Sequence, residues 1–242
     1  MDEKFAAIGE AMPRLLDGLR VTVELTILGA IAAFILAVVL GLAAASPLKG
    51  FRIPARVVIE FFRGTSLVVQ VFWFFFVLPL LGIDLHPLVA GVLALGLNYG
   101  AYAAEVVRGS IQSVPTGQWE ATTALSLGPV QRMRRIIFPQ AWALMIPSLS
   151  SLLIHLMKGT AIVGYITLAD FTFQLDQVKR VSGTLFTYGI VGMLGYFLFA
   201  LVLTFAMNLL ERQAKHKLGQ GTSLRQMLSP APVATTRAGG IQ

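Results

Sequence analysis

The chain has 242 residues, of which 56% are hydrophobic and only 13% charged, with a mean hydropathy of +0.75. Soluble domains carry about 25% charged residues, so this composition excludes an ordinary water-soluble fold and points to the bilayer as solvent. The net charge of +7 does not indicate nucleic acid, because the bases flank long neutral runs instead of forming a stripe, and zero cysteines exclude a disulfide framework and a thiol-ligated metal.

The first residues, "MDEKFAAIGE", are acidic where a secretory leader needs a basic start, so residues 1–18 are expected to be an extracellular or periplasmic segment of the chain itself. A bilayer-crossing helix needs about 20 apolar residues and can leave no backbone group unpaired. Charge-free runs of that length cover 25–48, 64–83, 85–104, 136–157 and 181–210. They predict an all-α polytopic membrane protein with spans at about 21–46, 62–83, 86–107, 138–157 and 183–210 within a unit covering 19–211. The prolines, glycine and acid of "LPLLGIDLHPL" mark a tight turn between the second and third spans. Residues 212–242 read as a cytoplasmic tail. From Gly219 onward they are rich in Gly, Ser, Thr, Pro and Ala, which predicts disorder. No internal repeat is visible, which speaks against an inverted-repeat secondary transporter.

Basic residues next to the spans set the orientation. Lys49, Arg52, Arg56 and Arg63 follow the first span, Arg108, Arg132, Arg134 and Arg135 follow the third, and Arg212, Lys215, Lys217, Arg225 and Arg237 follow the fifth. All of them share one face only if the N-terminus is outside and the C-terminus cytoplasmic.

The longest loop on that inner face, 116–138, carries "TGQWEATTALSLGPVQRMRRIIF". Thr116 suits a helix cap, Glu120 suits the positive end of a helix, Gly128 offers a left-handed stop and Pro129 can open a second helix. The expectation is a helix, a sharp turn and a second helix lying across the inner face. Small residues at Ala121, Thr122, Thr123 and Ala124 would let another surface approach. Arg132, Arg134 and Arg135 would meet headgroups or an acidic protein. An ordinary amphipathic interfacial helix with a basic anchor fits the periodicity equally well.

Polar residues inside spans are costly and often mark function. Asn98, Tyr102 and Glu105 recur at i, i+4 and i+7, so they share one helix face that could line a solute pathway. Glu105 and Arg108 could equally form a packing salt bridge. His155, Lys158 and Thr160 at the end of the fourth span are weaker pathway candidates: a lone histidine is more often packed, and a terminal lysine more often snorkels. Asp170 and Asp176 could touch an extracellular partner or simply be solvated. Arg63 fits a basic inner-face anchor as well as any special role.

"EATTALSLG" followed by "IIFP" resembles the coupling loop of ABC importer permeases. "FRGTSLVVQVFWFFFVLP", "LNYGAYAAEVVRGSIQSVPTGQWEA", "PQAWALMIPSLSS" and "KGTAI" are similar to the polar amino acid permease subfamily of that family, which includes uptake permeases for histidine, glutamine, arginine, cystine and ectoine. The resemblance covers about residues 19–212. It implies five transmembrane helices plus a cytoplasmic coupling helix, with Glu120, Ala121, Thr122, Gly128, Arg134 and Arg135 in ATPase coupling. Thr122 stands where the family usually has alanine. Arg63, Gly64 and Thr65 match a signature in which Ser66 replaces the common proline. "KGTAI" and Asp170 depart further, which bears on the solute more than on the transport role.

The resemblance further implies a bacterial inner-membrane permease subunit, not itself an enzyme, that binds no cofactor directly. ATP and Mg belong to two ATP-hydrolysing partner subunits. The other partners would be a second permease of the same or a homologous chain, an extracellular solute-binding protein and membrane lipid, with no nucleic acid. The solute would be an amino acid or a similar zwitterion, ectoine among the compatible solutes included. A gradient-driven secondary transporter or channel is the alternative. A membrane-embedded enzyme is disfavoured by the scarcity of convergent acids and histidines, and no metal site is expected.

Overall fold

The computed structural model describes residues 2–183 and 186–217. The expected disorder of the tail from Gly219 onward concerns residues outside these. In chain order the helices are α1 (Asp2–Ala45), α2 (Lys49–Gly64), α3 (Leu67–Phe72), α4 (Pro87–Gln112), α5 (Thr116–Ala124), α6 (Pro129–Arg132), α7 (Phe138–Gly159), α8 (Phe171–Ser182) and α9 (Met193–Lys217). α3 runs on through a π-helical turn (Trp73–Val77) and a 3-10 turn (Leu78–Leu81), and a second π turn (Met133–Ile137) joins α6 to α7.

Among the described residues four helical stretches are long and apolar enough to cross a membrane: Ile8–Ala45, Pro87–Gln112, Pro129–Ile166 and Thr187–Gln213. A fifth span exists only as a broken one, Lys49–Gly64 followed by Leu67–Leu81 at 99°. The expected span at about 62–83 overlaps the second arm of this bent pair and the last residues of the first. The apolar run after Ser66 is a short helix, and the preceding basic segment is a separate, strongly amphipathic one.

α1 and α4 run parallel and form the frame. Small residues let their backbones approach: a Cβ on Gly41 would lie 2.7 Å from Val107 and 2.8 Å from the Ala104 carbonyl, and one on Gly96 would lie 2.8 Å from Ala32. Such close packing of small residues replaces a hydrophobic driving force that lipid cannot supply. α7 packs antiparallel on α4, with Ile137, Ala141 and Met145 against Ala103, Val107 and Ile111. α9 leans on α7 and leaves Phe197, Leu201, Val202 and Phe205 exposed to the surrounding apolar phase.

α1 has no break at residue 18; its helix continues back to Asp2 through Pro13. The first turns of α1 bury Ile8 and Leu15 against Phe171, Leu175 and Val178 of α8. Replacing Gly41 by Val is expected to cost about 1–3 kcal/mol by overpacking the α1–α4 seam. Thermal unfolding of the purified protein would show it, with Gly50→Val, which meets open space, leaving the seam untouched.

Candidate functional site

Two places carry the polar residues that matter, and α4 connects them. The first is the corner between α2 and α3. A helix end leaves its last carbonyls without intrahelical donors. Here the donors are side chains. Asn98 Nδ2 donates to the carbonyls of Phe62 (3.2 Å) and Thr65 (3.5 Å). Gln70 Nε2 donates to the Phe62 carbonyl (3.0 Å), the Thr65 carbonyl (3.3 Å) and Thr65 Oγ1 (2.6 Å). The Tyr102 hydroxyl donates to the Arg63 carbonyl (3.2 Å), and the Arg63 guanidinium lies 5.4 Å above the Tyr102 ring.

The face shared by Asn98, Tyr102 and Glu105 thus meets the end of α2. Asn98 is 5% exposed, Gln70 6% and Tyr102 38%. Arg63, Gly64 and Thr65 are the corner itself, and Thr65 also bonds back to the Phe61 carbonyl (3.0 Å). Glu105 pairs with Arg108 in a two-pronged bridge (2.7 and 3.1 Å), while Arg108 also donates to Gln112 (2.8 Å). Sequence reasoning assigns Gln70 no role, although it lies within the quoted signature; its buried amide beside a helix break is the signal.

The second place is the loop after α4. α5 starts after Pro115 with no side-chain cap, so Thr116 is the first helical residue and not the cap. The left-handed stop falls on Ser126 (φ 52°), whereas Gly128 is extended (φ −62°, ψ 156°) and caps α6. Pro129 does open the second helix, but that helix runs through the π turn straight into α7. It is continuous with the fourth candidate span and is not a separate helix. α5 and its turn therefore stand alone as the projecting element. Thr122 points inward, 2% exposed, with its hydroxyl on the Trp119 carbonyl (2.7 Å). Trp119 packs in the cluster of Val107, Ile111, Val114 and Ile137. Glu120, Ala121 and Gly128 are exposed, as are Arg134 and Arg135. Leu125 is 72% exposed at the tip. A large apolar residue in a run of small ones is the sequence signal for it.

The remaining candidates lie apart from both places. His155 and Lys158 are exposed on α7, and the His155 carbonyl accepts from Tyr99 (2.9 Å). Thr160 is fully buried and donates to the Met157 carbonyl (2.7 Å). At the opposite end of the bundle from α5, Asp170 caps α8 by accepting from the Phe173 N–H (2.8 Å) and is completely buried. Gly164 leaves it room, since a Cβ there would lie 2.6 Å from Asp170 Oδ1. Burial pushes the Asp170 carboxyl up to about 6, against the partial opposition of the Phe173 and Thr172 N–H groups. Asp176 is held low by Lys179 and the Tyr188 hydroxyl (3.0 Å). Among the described residues no group of three or more His, Cys, Asp or Glu side chains could hold a metal.

The fold and site define an all-helical membrane component with a rigid frame, a broken span and a helix projecting from one end. Residues 37–216 match the family of binding-protein-dependent transport system inner membrane components. The chain is 45% identical over 205 residues to a probable amino-acid ABC transporter permease protein of Sinorhizobium fredii, covering 80% of this chain and 84% of that one. It is 34% identical over 203 residues to the L-cystine transport system permease protein TcyB of Bacillus subtilis, covering 83% and 86%. Its fold is similar to a crystal structure of an amino acid ABC transporter with histidines (TM-score 0.79, 33% identity, 86% of this chain and 98% of that one). The MetNI methionine ABC transporter, at 19% identity and TM-score 0.68 over 84% and 97%, shares the fold. The chain belongs to the family of binding-protein-dependent transport system inner membrane components, the permease subunits of ABC importers, and is not itself the catalytic subunit.

Two outcomes test the site. Asn98→Leu removes one of the two side-chain donors and leaves Gln70 alone on the Phe62 and Thr65 carbonyls, so it is expected to cost about 0.5–1.5 kcal/mol in unfolding free energy. Asp170 protonates more readily folded than unfolded. Its contribution is therefore favourable at low pH and is lost as pH rises from about 4 through about 6. The loss is of order 3 kcal/mol, and Asp170→Asn, which keeps a capping side chain, should flatten that part of a stability-against-pH curve.

Proposed function

We propose that this chain forms half of the translocation pathway of an ATP-driven importer for an amino acid or a similar zwitterion. The proposed assembly contains a second permease of the same or a homologous chain, two ATP-hydrolysing subunits that hold ATP and Mg, and an extracellular solute-binding protein. It sits in a bacterial inner membrane with the N-terminus outside and the C-terminus in the cytoplasm, as the basic flanks favour. The amino-acid assignment rests on the names of the relatives above. Nothing in them favours ectoine. A gradient-driven transporter has no support beside the family match.

The observation that carries the reading is α5. It is a short helix anchored from behind by Trp119 and Thr122, and it presents Glu120, Ala121, Gly128 and the exposed Leu125 outward. Small side chains around one exposed leucine let a partner surface approach the helix closely. In this reading the ATPase subunit grips α5, and closure of the ATPases moves α4 and α7 through the loop as a rigid shift. Arg135 would add charge at the rim. For the solute pathway, Tyr102 with Arg63 keeps an exposed edge. Glu105, His155 and Lys158 remain weaker candidates, and the polar groups of Asn98 and Thr160 bond within the chain.

Leu125→Glu or Glu120→Arg is expected to weaken ATPase association by about 2 kcal/mol or more, roughly 30-fold. Solute uptake should fall accordingly, while insertion and thermal stability stay as in the wild type. Co-purification with the ATPase subunit measures it. Unchanged association and uptake in both variants would reject the docking role.

A further inference from the structure

One surface feature is not used by the docking role. Val130, Arg134 and Phe138 recur every fourth residue along the start of the fourth span, so they form one stripe. That stripe faces Val38 and Leu42, likewise four apart on α1, across a groove of about 430 Å³ that Pro129 and Met133 complete. Every lining side chain is apolar except Arg134. Arg134 is exposed and makes no ion pair among the described residues. Leu42 lies about one helical turn from the end of α1 at Ala45. The groove therefore lies close to the end of α1 that the basic flanks put on the cytoplasmic side.

One guanidinium set in an otherwise apolar wall at the basic end of the spans has the polarity of a phospholipid site. The guanidinium fork matches phosphate oxygens in pairs, and its long stem lets the charge rise to the headgroup plane. No carboxylate lines the groove, and Arg132 and Arg135 add positive charge beside it, which favours a lipid of net negative charge. The stripe looks sideways towards α1, whereas a partner gripping α5 approaches from its tip.

We propose that the groove between α1 and the start of the fourth span is a binding site for one anionic phospholipid, with Arg134 on its phosphate and an acyl chain along Val38, Leu42, Met133 and Phe138. The site depends on the membrane placement of the spans and not on the coupling role of α5.

Native mass spectrometry of the full-length chain in its transporter complex tests this, using bilayer discs of equal parts phosphatidylglycerol and phosphatidylcholine. The wild type should retain phosphatidylglycerol in preference. Arg134→Gln should reduce that preference about fivefold, the loss of one near-surface charge contact. Val38→Trp, which fills the groove, should displace the lipid altogether, and Arg14→Gln near the far end of α1 should change nothing. The proposal is overturned if the wild type shows no preference. It is equally overturned if Arg134→Gln retains phosphatidylglycerol like the wild type, including the case in which that variant instead loses the ATPase subunit. Should Val38→Trp fail to assemble, Arg134→Gln, a change at an exposed side chain, decides alone.

Discussion

A span that breaks must find donors for its loose carbonyls, and the rest of this structure is arranged around that requirement. α2 ends at Gly64, with Thr65 extended, so the carbonyls of Phe62, Arg63 and Thr65 lie at or past its last turn. Asn98 and Tyr102 reach them from α4 and Gln70 from α3. Each unsatisfied carbonyl would cost several kcal/mol in an apolar surrounding. The donors thus do more than decorate the bend: they fix the 99° angle and hold α2 and α3 to the middle of α4. The stacking of Arg63 on Tyr102 closes the same corner from its exposed side.

With that corner fixed to α4, the α1–α4 seam becomes the axis of the subunit. Gly41 and Gly96 allow backbone contact along it, and α7 returns antiparallel from the loop that carries α5. α5 is exposed along much of its length, yet Trp119 and Thr122 tie it into the same apolar cluster that joins α4 to α7. A push on α5 is therefore a push on two long helices, which is the mechanical property an energy-coupling element needs. At the other end Asp170, Thr22 and Gly18 lock α8 onto α1, with the Phe171 N–H donating to Thr22 Oγ1 at 3.0 Å.

Much of this was legible in the residues themselves. Charge-free runs locate the spans because charge is costly in hydrocarbon, and the i, i+4 spacing correctly puts Asn98 and Tyr102 on one face. What that face meets was hidden, because its partners lie 36 and 39 residues away. The break after Gly64 was also hidden. Ser66 stands where a proline would have announced it, and the donors that stabilise it belong largely to another helix. The stop after α5 was misplaced for a related reason. Glycine is the usual left-handed residue, but Ser126 takes that conformation, with its N–H bonded to the Thr123 carbonyl at 2.9 Å. The unbroken α1 escaped detection because Pro13 and the flanking charges look like an ending until α8 is seen to cover Ile8 and Leu15.

The most direct test of the central claim uses the absence of cysteine from the sequence. A single Leu125→Cys substitution places one thiol at the tip of α5. In intact cells, a membrane-impermeant thiol reagent added outside should leave it unlabelled. In membranes containing the whole transporter, a short bifunctional cross-linker should join it to the ATP-hydrolysing subunit, with a yield that changes when nucleotide is bound. Labelling from outside, or a thiol that never cross-links to that subunit in an assembled and active transporter, would contradict the account.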